Sequence, residues 1–341
     1  MSALTSTGLL RLGTRRSALA MAQAGRVADA LRARGRAVDI VGVTTEGDRT
    51  ARQGAPLADV GGGSAQGVFV AALRVRLLAG DVDVVVHSLK DLPTAPADGL
   101  VVAAIPPRED PRDALVSRAG QRLADLPSGA RIGTGSPRRA AQLRAARPDL
   151  DVRPLRGNVD TRLGKVFDGE LDAIVVAAAG LARLGRLAEA TELLDPLTML
   201  PAPGQGALAI ECRVGDLDPE GSFAELISSL DDGATRAAVT AERTLLAELE
   251  AGCTAPVGAL ARVDAGSGGG SGLAANLHLD AAVVSVDGAT AIRRSASGPI
   301  AQPVELGRRL AAELLAAGAA GLVGGSTATA TNPISRSREN Q

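Results

Sequence analysis

Three observations predict an α/β chain of two similar lobes with a cleft between them, followed by a smaller α/β segment. Short apolar runs alternate with amphipathic segments, two short motifs recur in the same order, and a proline-rich charged break separates the copies. The apolar runs 9–12, 38–43, 82–86 and 100–105 are predicted strands, with predicted helices over 17–33 and 67–79. PPREDPRD (106–113) can continue neither element and reads as a hinge. Beyond it RLGT (11–14) returns as RIGT (131–134), and GDVDVVVHS (80–88) returns as GELDAIVVA (169–177). A third segment begins near Asp231 with an amphipathic helix over 235–250, which Gly252 is placed to cap. GSGGGSG (266–272) reads as a flexible loop, AAVVSV (281–286) as a strand and 305–316 as a helix. From Gly324 the polar, low-complexity tail is expected to be disordered.

Composition narrows the function. At 341 residues and 45% hydrophobic content the chain can form two or three cored domains. A net charge of −1 and 1% aromatic residues argue against a nucleic-acid binder, which needs a basic face and stacking platforms. No run reaches about 18 apolar residues, and the first residues lack a basic-then-apolar leader, so a cytoplasmic protein without a membrane span is expected. Two histidines and no CxxC suggest no transition-metal site.

The arginines are the first chemical signal. In GTGSPRRAAQLRAARPD, Ser136 suits an N-cap, Pro137 the first helical position and Pro148 the stop. Arg138 and Arg139 then fall in the first turn, where the helix dipole disfavours cations. An anion at that helix terminus would reconcile the two. Arg153, Arg156, Arg162 and Arg183 follow, and Arg15 and Arg16 hold the equivalent turn of the first lobe. Guanidinium binds carboxylate in a two-bond fork, so the set suits a polycarboxylate ligand, although solvated surface charge is the ordinary role of any one arginine. GTGSPR lacks the third glycine of a dinucleotide fingerprint, and VGGGSAQG lacks the Gly-Lys-Ser/Thr of a phosphate loop.

Lys90 is the second signal, because Lys90 and Lys165 are the only lysines in the chain. It follows a predicted strand end, as site residues of α/β folds do. It is open to three readings: a Schiff-base amine, a substrate-orienting cation beside an acid–base Asp91, or a surface ion pair. Cys212, in an apolar run, reads as a core residue. Cys253 follows a helix stop in EAGCTAPVG, where an accessible thiol is a candidate nucleophile or attachment point.

The motifs HSLKDLP, EDPRDAL, IGTGSPRRAAQL, LRGNVDTRL, AAAGLARLG, PGQGALAIECR and EAGCTAPVG resemble, in order, those of the porphobilinogen deaminase (hydroxymethylbilane synthase) family. The resemblance spans about residues 10–319. It implies two periplasmic-binding-protein-like (type II) lobes and a smaller C-terminal α/β domain with a three-stranded sheet. The expected divisions are 8–106 with 202–226, then 107–201, then 227–322, leaving 323–341 as a tail. It also implies a cytoplasmic, monomeric transferase of tetrapyrrole biosynthesis, with porphobilinogen as its small-molecule substrate and no nucleic acid or membrane partner. Four porphobilinogens are joined head to tail with loss of ammonia, and the linear product is then released by hydrolysis.

By the same resemblance, a dipyrromethane cofactor is thioether-linked to Cys253, and Asp91 is the catalytic aspartate facing the azafulvene cation. Carboxylates of cofactor and substrate are assigned to Arg15, Ser17, Ser88, Lys90, Thr134, Ser136, Arg138, Arg139, Arg156, Gly157, Arg162 and Arg183. One stretch departs from the family pattern: Gly61–Gly67 is longer than the usual glycine loop and lacks its lysine, so no role is carried onto it. Two rival readings are a non-enzymatic anion-binding protein on the same two lobes and a Schiff-base enzyme at Lys90.

Overall fold

The computed structural model describes residues 8–43, 65–218, 220–249, 255–264 and 275–323. Gly252, Cys253, the loop 266–272 and the tail from Gly324 lie outside the described residues, as do Gly61 to Ser64 of the departing loop.

The first lobe is built from β1 (Leu10–Arg15), α1 (Ala18–Arg32), β2 (Val38–Val43), α2 (Ala65–Leu78), β3 (Val84–Ser88) and β4 (Leu100–Ala104). β1 runs past the predicted end at residue 12. The apolar signal stops there, but pairing with β2 continues through Gly13, Thr14 and Arg15. The second lobe comprises β5 (Asp113–Ser117), β6 (Arg131–Thr134), α3 (Pro137–Ala146), β7 (Asp151–Pro154), α4 (Val159–Phe167), β8 (Ala173–Ala177), α5 (Ala178–Arg183) and β9 (Glu192–Leu193). β10 (Leu208–Arg213) then returns to the first sheet.

Both sheets have five strands, in the orders β2-β1-β3-β10-β4 and β7-β6-β8-β5-β9. In each, three parallel strands are followed by an antiparallel fourth, β10 beside β3 and β5 beside β8. The repeated motifs are therefore equivalent strands, β1 with β6 and β3 with β8. The echo extends to one ion pair. Arg11 opens β1 and clasps Asp83, with its backbone N–H at 2.8 Å and Nη2 at 2.6 Å. Arg131 opens β6 and clasps Asp172 at 2.9 Å by the same two groups. Each aspartate belongs to the second echoed motif, so one arginine–aspartate fork ties the two motifs together in each lobe.

Two strands of chain cross between the lobes. The first, through the proline-rich 106–112, carries Arg108, Glu109 and Arg112; the second, 201–207, carries Gly204, Gln205 and Gly206. The third unit packs α7 (Gly233–Glu248) and α8 (Pro303–Ala316) on an antiparallel sheet of β11 (Val257–Asp264), β12 (Asn276–Val284) and β13 (Ala291–Pro299). Before it comes α6 (Ser222–Ser228), whose Phe223 and Ile227 join the first lobe's core, and after it α9 (Ala319–Val323). Asp232 caps α7, accepting from Thr235 N–H at 2.7 Å. That helix ends at Glu248, two residues before the predicted end. α7 and α8 approach so closely that a Cβ at Gly307 would lie 2.6 Å from the Ala241 carbonyl oxygen.

Glu242, fully buried on α7, joins all three parts. Its carboxylate accepts Arg108 Nη1 at 2.6 Å, Gly204 N–H at 2.7 Å and Ala261 N–H at 2.8 Å. A buried carboxylate is stable only when its lone pairs are filled, and here each comes from a different segment.

Candidate active site

The site lies where the strand ends of both lobes face the crossover chain. On the first-lobe side, β3 ends in Ser88 and runs into a one-turn 3-10 helix, Leu89–Asp91. That turn is buttressed from the third unit. Arg243 of α7 donates to the carbonyls of Leu92 at 2.8 Å and Pro93 at 2.6 Å. Asp91 opens on a cavity of about 140 Å³, lined also by Arg15, Gln23, His87 and Ser88. Ser88 Oγ accepts from Gln23 Nε2 at 2.8 Å, and Ser17 caps α1 through Ala20 N–H at 3.3 Å. Asp91 makes no hydrogen bond or ion pair to a described residue, so its carboxylate is available to a ligand.

On the second-lobe side, Thr134 ends β6 and its Oγ1 accepts Ser136 N–H at 3.2 Å. Ser136 is the N-cap of α3 and Pro137 its first residue, as the sequence predicts. Arg138 and Arg139 are buried, and the anion that meets them is Asp113 at the start of β5. Arg138 Nη2 donates to Oδ2 and Arg139 Nη2 to Oδ1, both at 2.7 Å. The β5–β8 pairing sets Asp113 opposite Ala177, at the same sheet edge as the N-terminus of α3. Burial pushes the Asp113 carboxyl up, but the two guanidinium groups outweigh it and hold it well below the usual carboxylate range.

Gln205 connects the two sides. Fully buried on the second crossover, it donates through Nε2 to Asp113 Oδ1 at 2.8 Å and Pro111 O at 2.7 Å. Its Oε1 accepts Lys90 Nζ at 3.1 Å. Lys90 thus faces the buried cations of the other lobe. Burial, reinforced by the charge of Arg139, lowers its ammonium to about 8, against the opposing pull of Asp91 and Asp113. Arg162 on α4 joins the same field: it is half-buried, donates to Gly157 O at 2.8 Å, and is pulled down by burial and by Arg139. Gly157 holds φ at 111°, and with exposed Arg156 it forms the rim between β7 and α4.

The predicted residues therefore fall into groups. Arg15, Ser88 and Asp91 share the cavity; Arg138 and Arg139 share one carboxylate, with Lys90 and Arg162 in the field of Arg139; Arg156 and Gly157 form a rim. Arg183 is committed elsewhere, to Glu109 Oε1 at 3.0 Å and Gly206 O at 2.7 Å, at the seam between lobes. Ser17 and Ser136 serve as helix caps. Cys253 lies outside the described residues. Cys212 is buried in β10, and burial pushes its thiol up to about 12. Among the described residues no acidic, histidine or cysteine cluster could hold a metal ion, and no helix is long and apolar enough to cross a membrane.

Sequence reasoning missed Asp113, Gln205, His87 and Glu211. Gln205 had a local signal, since it sits between two glycines at positive φ, Gly204 (74°) and Gly206 (88°). Such a turn fixes a side chain in place. The partner of Asp113 lies 25 residues away and leaves no local trace.

Comparison with known proteins follows the same outline. A family model described as porphobilinogen deaminase, dipyromethane cofactor binding domain, matches residues 10–220, and one for the porphobilinogen deaminase C-terminal domain matches 236–316. Porphobilinogen deaminase of Acidothermus cellulolyticus is 59% identical over 319 residues, covering 94% of this chain and 92% of that protein. The Nocardia farcinica protein of that name is 55% identical over 96% of this chain and 91% of its own length. Porphobilinogen deaminase 1 of Streptomyces coelicolor is 56% identical over 92% and 97%. Among solved structures, a periplasmic substrate-binding protein of an ABC transporter from Coxiella burnetii gives a TM-score of 0.38 at 14% identity. It covers 65% of this chain and 91% of that one, a likeness too loose to bear on function.

Proposed function

Because the chain belongs to the porphobilinogen deaminase family, transferases of tetrapyrrole biosynthesis with a dipyrromethane cofactor, we propose how its own residues divide that work. The carrying observation is the placement of Asp91, unpaired and open to a cavity, beside a cation cluster that its own lobe supplies only in part.

The cluster fits the cofactor's chemistry. Arg138 and Arg139 share a single buried carboxylate with Lys90 and Arg162 nearby, so positive charge is in excess, and Arg138 Nε is buried without a partner among the described residues. Acetate and propionate groups would complete these donors in charge-assisted pairs. Lys90, Arg138, Arg139 and Arg162 would hold them, with Thr134, Ser136, Arg156 and Gly157 at the rim and Arg183 at the seam. When bound, the dipyrromethane supplies the free pyrrole position to which each new unit is joined. Cys253, which follows α7, is the attachment residue by its motif.

Porphobilinogen enters with its carboxylates toward Arg15, Ser17 and Ser88 and its ring toward Asp91. Ammonia leaves the aminomethyl group with the bonding electrons, and the positive charge left on the pyrrole faces the Asp91 carboxylate. A fixed carboxylate aimed at developing positive charge lowers the barrier without solvent reorganisation. The chain then extends head to tail to four units before hydrolysis frees it. The same reading makes the protein a cytoplasmic monomer without nucleic-acid or membrane partners. It divides the chain at 8–106 with 202–226, 107–201 and 227–322.

Intact-mass measurement of the purified protein tests it. The expected result is an excess equal to two linked pyrrole units, abolished by Cys253→Ser. An unmodified protein with full activity overturns the attachment.

A further inference from the structure

His87, on β3, is one of two histidines in the chain and has no part in the reading above. It is 6% exposed, yet it lines the cavity onto which Asp91 opens. Its Nε2 lies 3.2 Å from Glu211 Oε2 on the antiparallel neighbour β10. Glu211 is itself buried and also receives Arg74 of α2, with Nη2 at 2.8 Å and Nε at 3.1 Å. Burial alone would raise its carboxyl, but His87 and Arg74 outweigh that and lower it.

The tautomer of the neutral ring follows from this contact. An ionised carboxylate can only accept, so Nε2 carries the hydrogen. In the neutral ring with its hydrogen on Nε2, Nδ1 is a bare acceptor. Nδ1 makes no hydrogen bond to a described residue and is not sealed from solvent. His87 is one of the residues lining the Asp91 cavity.

We propose that His87 is a specificity residue for the leaving group: its Nδ1 accepts a hydrogen bond from the substrate's aminomethyl ammonium beside Asp91. Glu211 and Arg74 are positioning residues that fix the tautomer. The C–N bond breaks with its electron pair going to nitrogen, so ammonia departs with its three hydrogens and no proton passes to the ring. The contact is strongest while the amine is charged, so it governs binding rather than the chemical step. This rests on the placement of the aminomethyl group at Asp91.

The test compares porphobilinogen with its hydroxymethyl analogue, in which a neutral hydroxyl replaces the ammonium. A hydrogen bond to a charged group contributes enough that His87→Gln should raise KM for the amine roughly 10- to 100-fold with kcat nearly unchanged. KM for the hydroxyl analogue should move far less, because its bond is not charge-assisted. Glu211→Gln keeps both ring and shape. With its amide oxygen held by Arg74, its amide N–H must donate to Nε2, moving the ring hydrogen to Nδ1. It should reproduce the amine-selective KM rise, and it decides the matter if His87→Gln fails to fold. Equal effects on both substrates, or none, in a folded variant overturn the proposal while leaving the Asp91 site intact. Retained turnover in Asp91→Asn removes the underlying site instead.

Discussion

Gln205 holds Asp113 at 2.8 Å and Lys90 at 3.1 Å, so one neutral side chain joins the turn bearing Asp91 to the buried counter-ion of the opposite lobe. Through it, the buried cluster of one lobe is bonded to the turn of the other lobe that bears Asp91.

Asp91→Asn keeps shape and removes the charge. Because Asp91 makes no bond to another described residue, the thermal midpoint should hold within a few degrees while turnover falls by at least about 100-fold. Near-normal rates would refute the role.

Asp113→Ala should cost about 3–5 kcal/mol in urea unfolding, because Arg138 and Arg139 are then buried without their carboxylate. Asp113→Asn should cost less, since an amide oxygen still accepts. If the alanine variant unfolds like the parent, the network contributes nothing to the fold.

Lys90 sets a pH limit. Its folded value of about 8 lies below the ordinary lysine value of 10.5, so between them the unfolded chain binds more protons. Its contribution is therefore most unfavourable below about 8, and stability rises with pH from there to about 10.5. Function should run the other way: if the ammonium meets substrate carboxylates as proposed, it fades above about 8, and kcat/KM for porphobilinogen should fall there. Lys90→Arg should remove that alkaline limb, and borohydride should trap no substrate adduct on Lys90. An unchanged limb in the arginine variant would assign it to another group.

Gly307→Ala sets two effects against each other. Alanine is favoured over glycine in a helix by about 1 kcal/mol. Here its Cβ would sit 2.6 Å from Ala241 O, and overpacking costs about 1–3 kcal/mol. The clash should win, giving a net loss in thermal or urea melts. A stabilised variant would mean that α7 and α8 separate freely.

The sequence disclosed what is local. Alternating apolar runs marked the first lobe's strands, and the echoed motifs marked its equivalence to the second. Ser136 and Pro137 marked the start of α3, and the broken charge rule at Arg138 and Arg139 marked the need for an anion there. It did not disclose that Asp113 meets those arginines, because PPREDPRD reads as a hinge and its last residue opens a buried strand. Nor did it show β10 inside the first sheet, since ALAIECR looks like any apolar strand and its partners lie 100 residues or more upstream. The Arg74–Glu211–His87 chain is hidden for the same reason: Glu211 lies 124 residues beyond His87 and 137 beyond Arg74.

Among the described residues β4 pairs in its sheet with β10 alone, and β10 lies at 208–213. During synthesis the ribosome therefore releases β4 about a hundred residues before the strand that anchors it. The first lobe cannot close as an independent early unit, and it waits until the second lobe has been made. Translation speed through the intervening stretch sets how long that unpaired edge is left to chaperones or to aggregation.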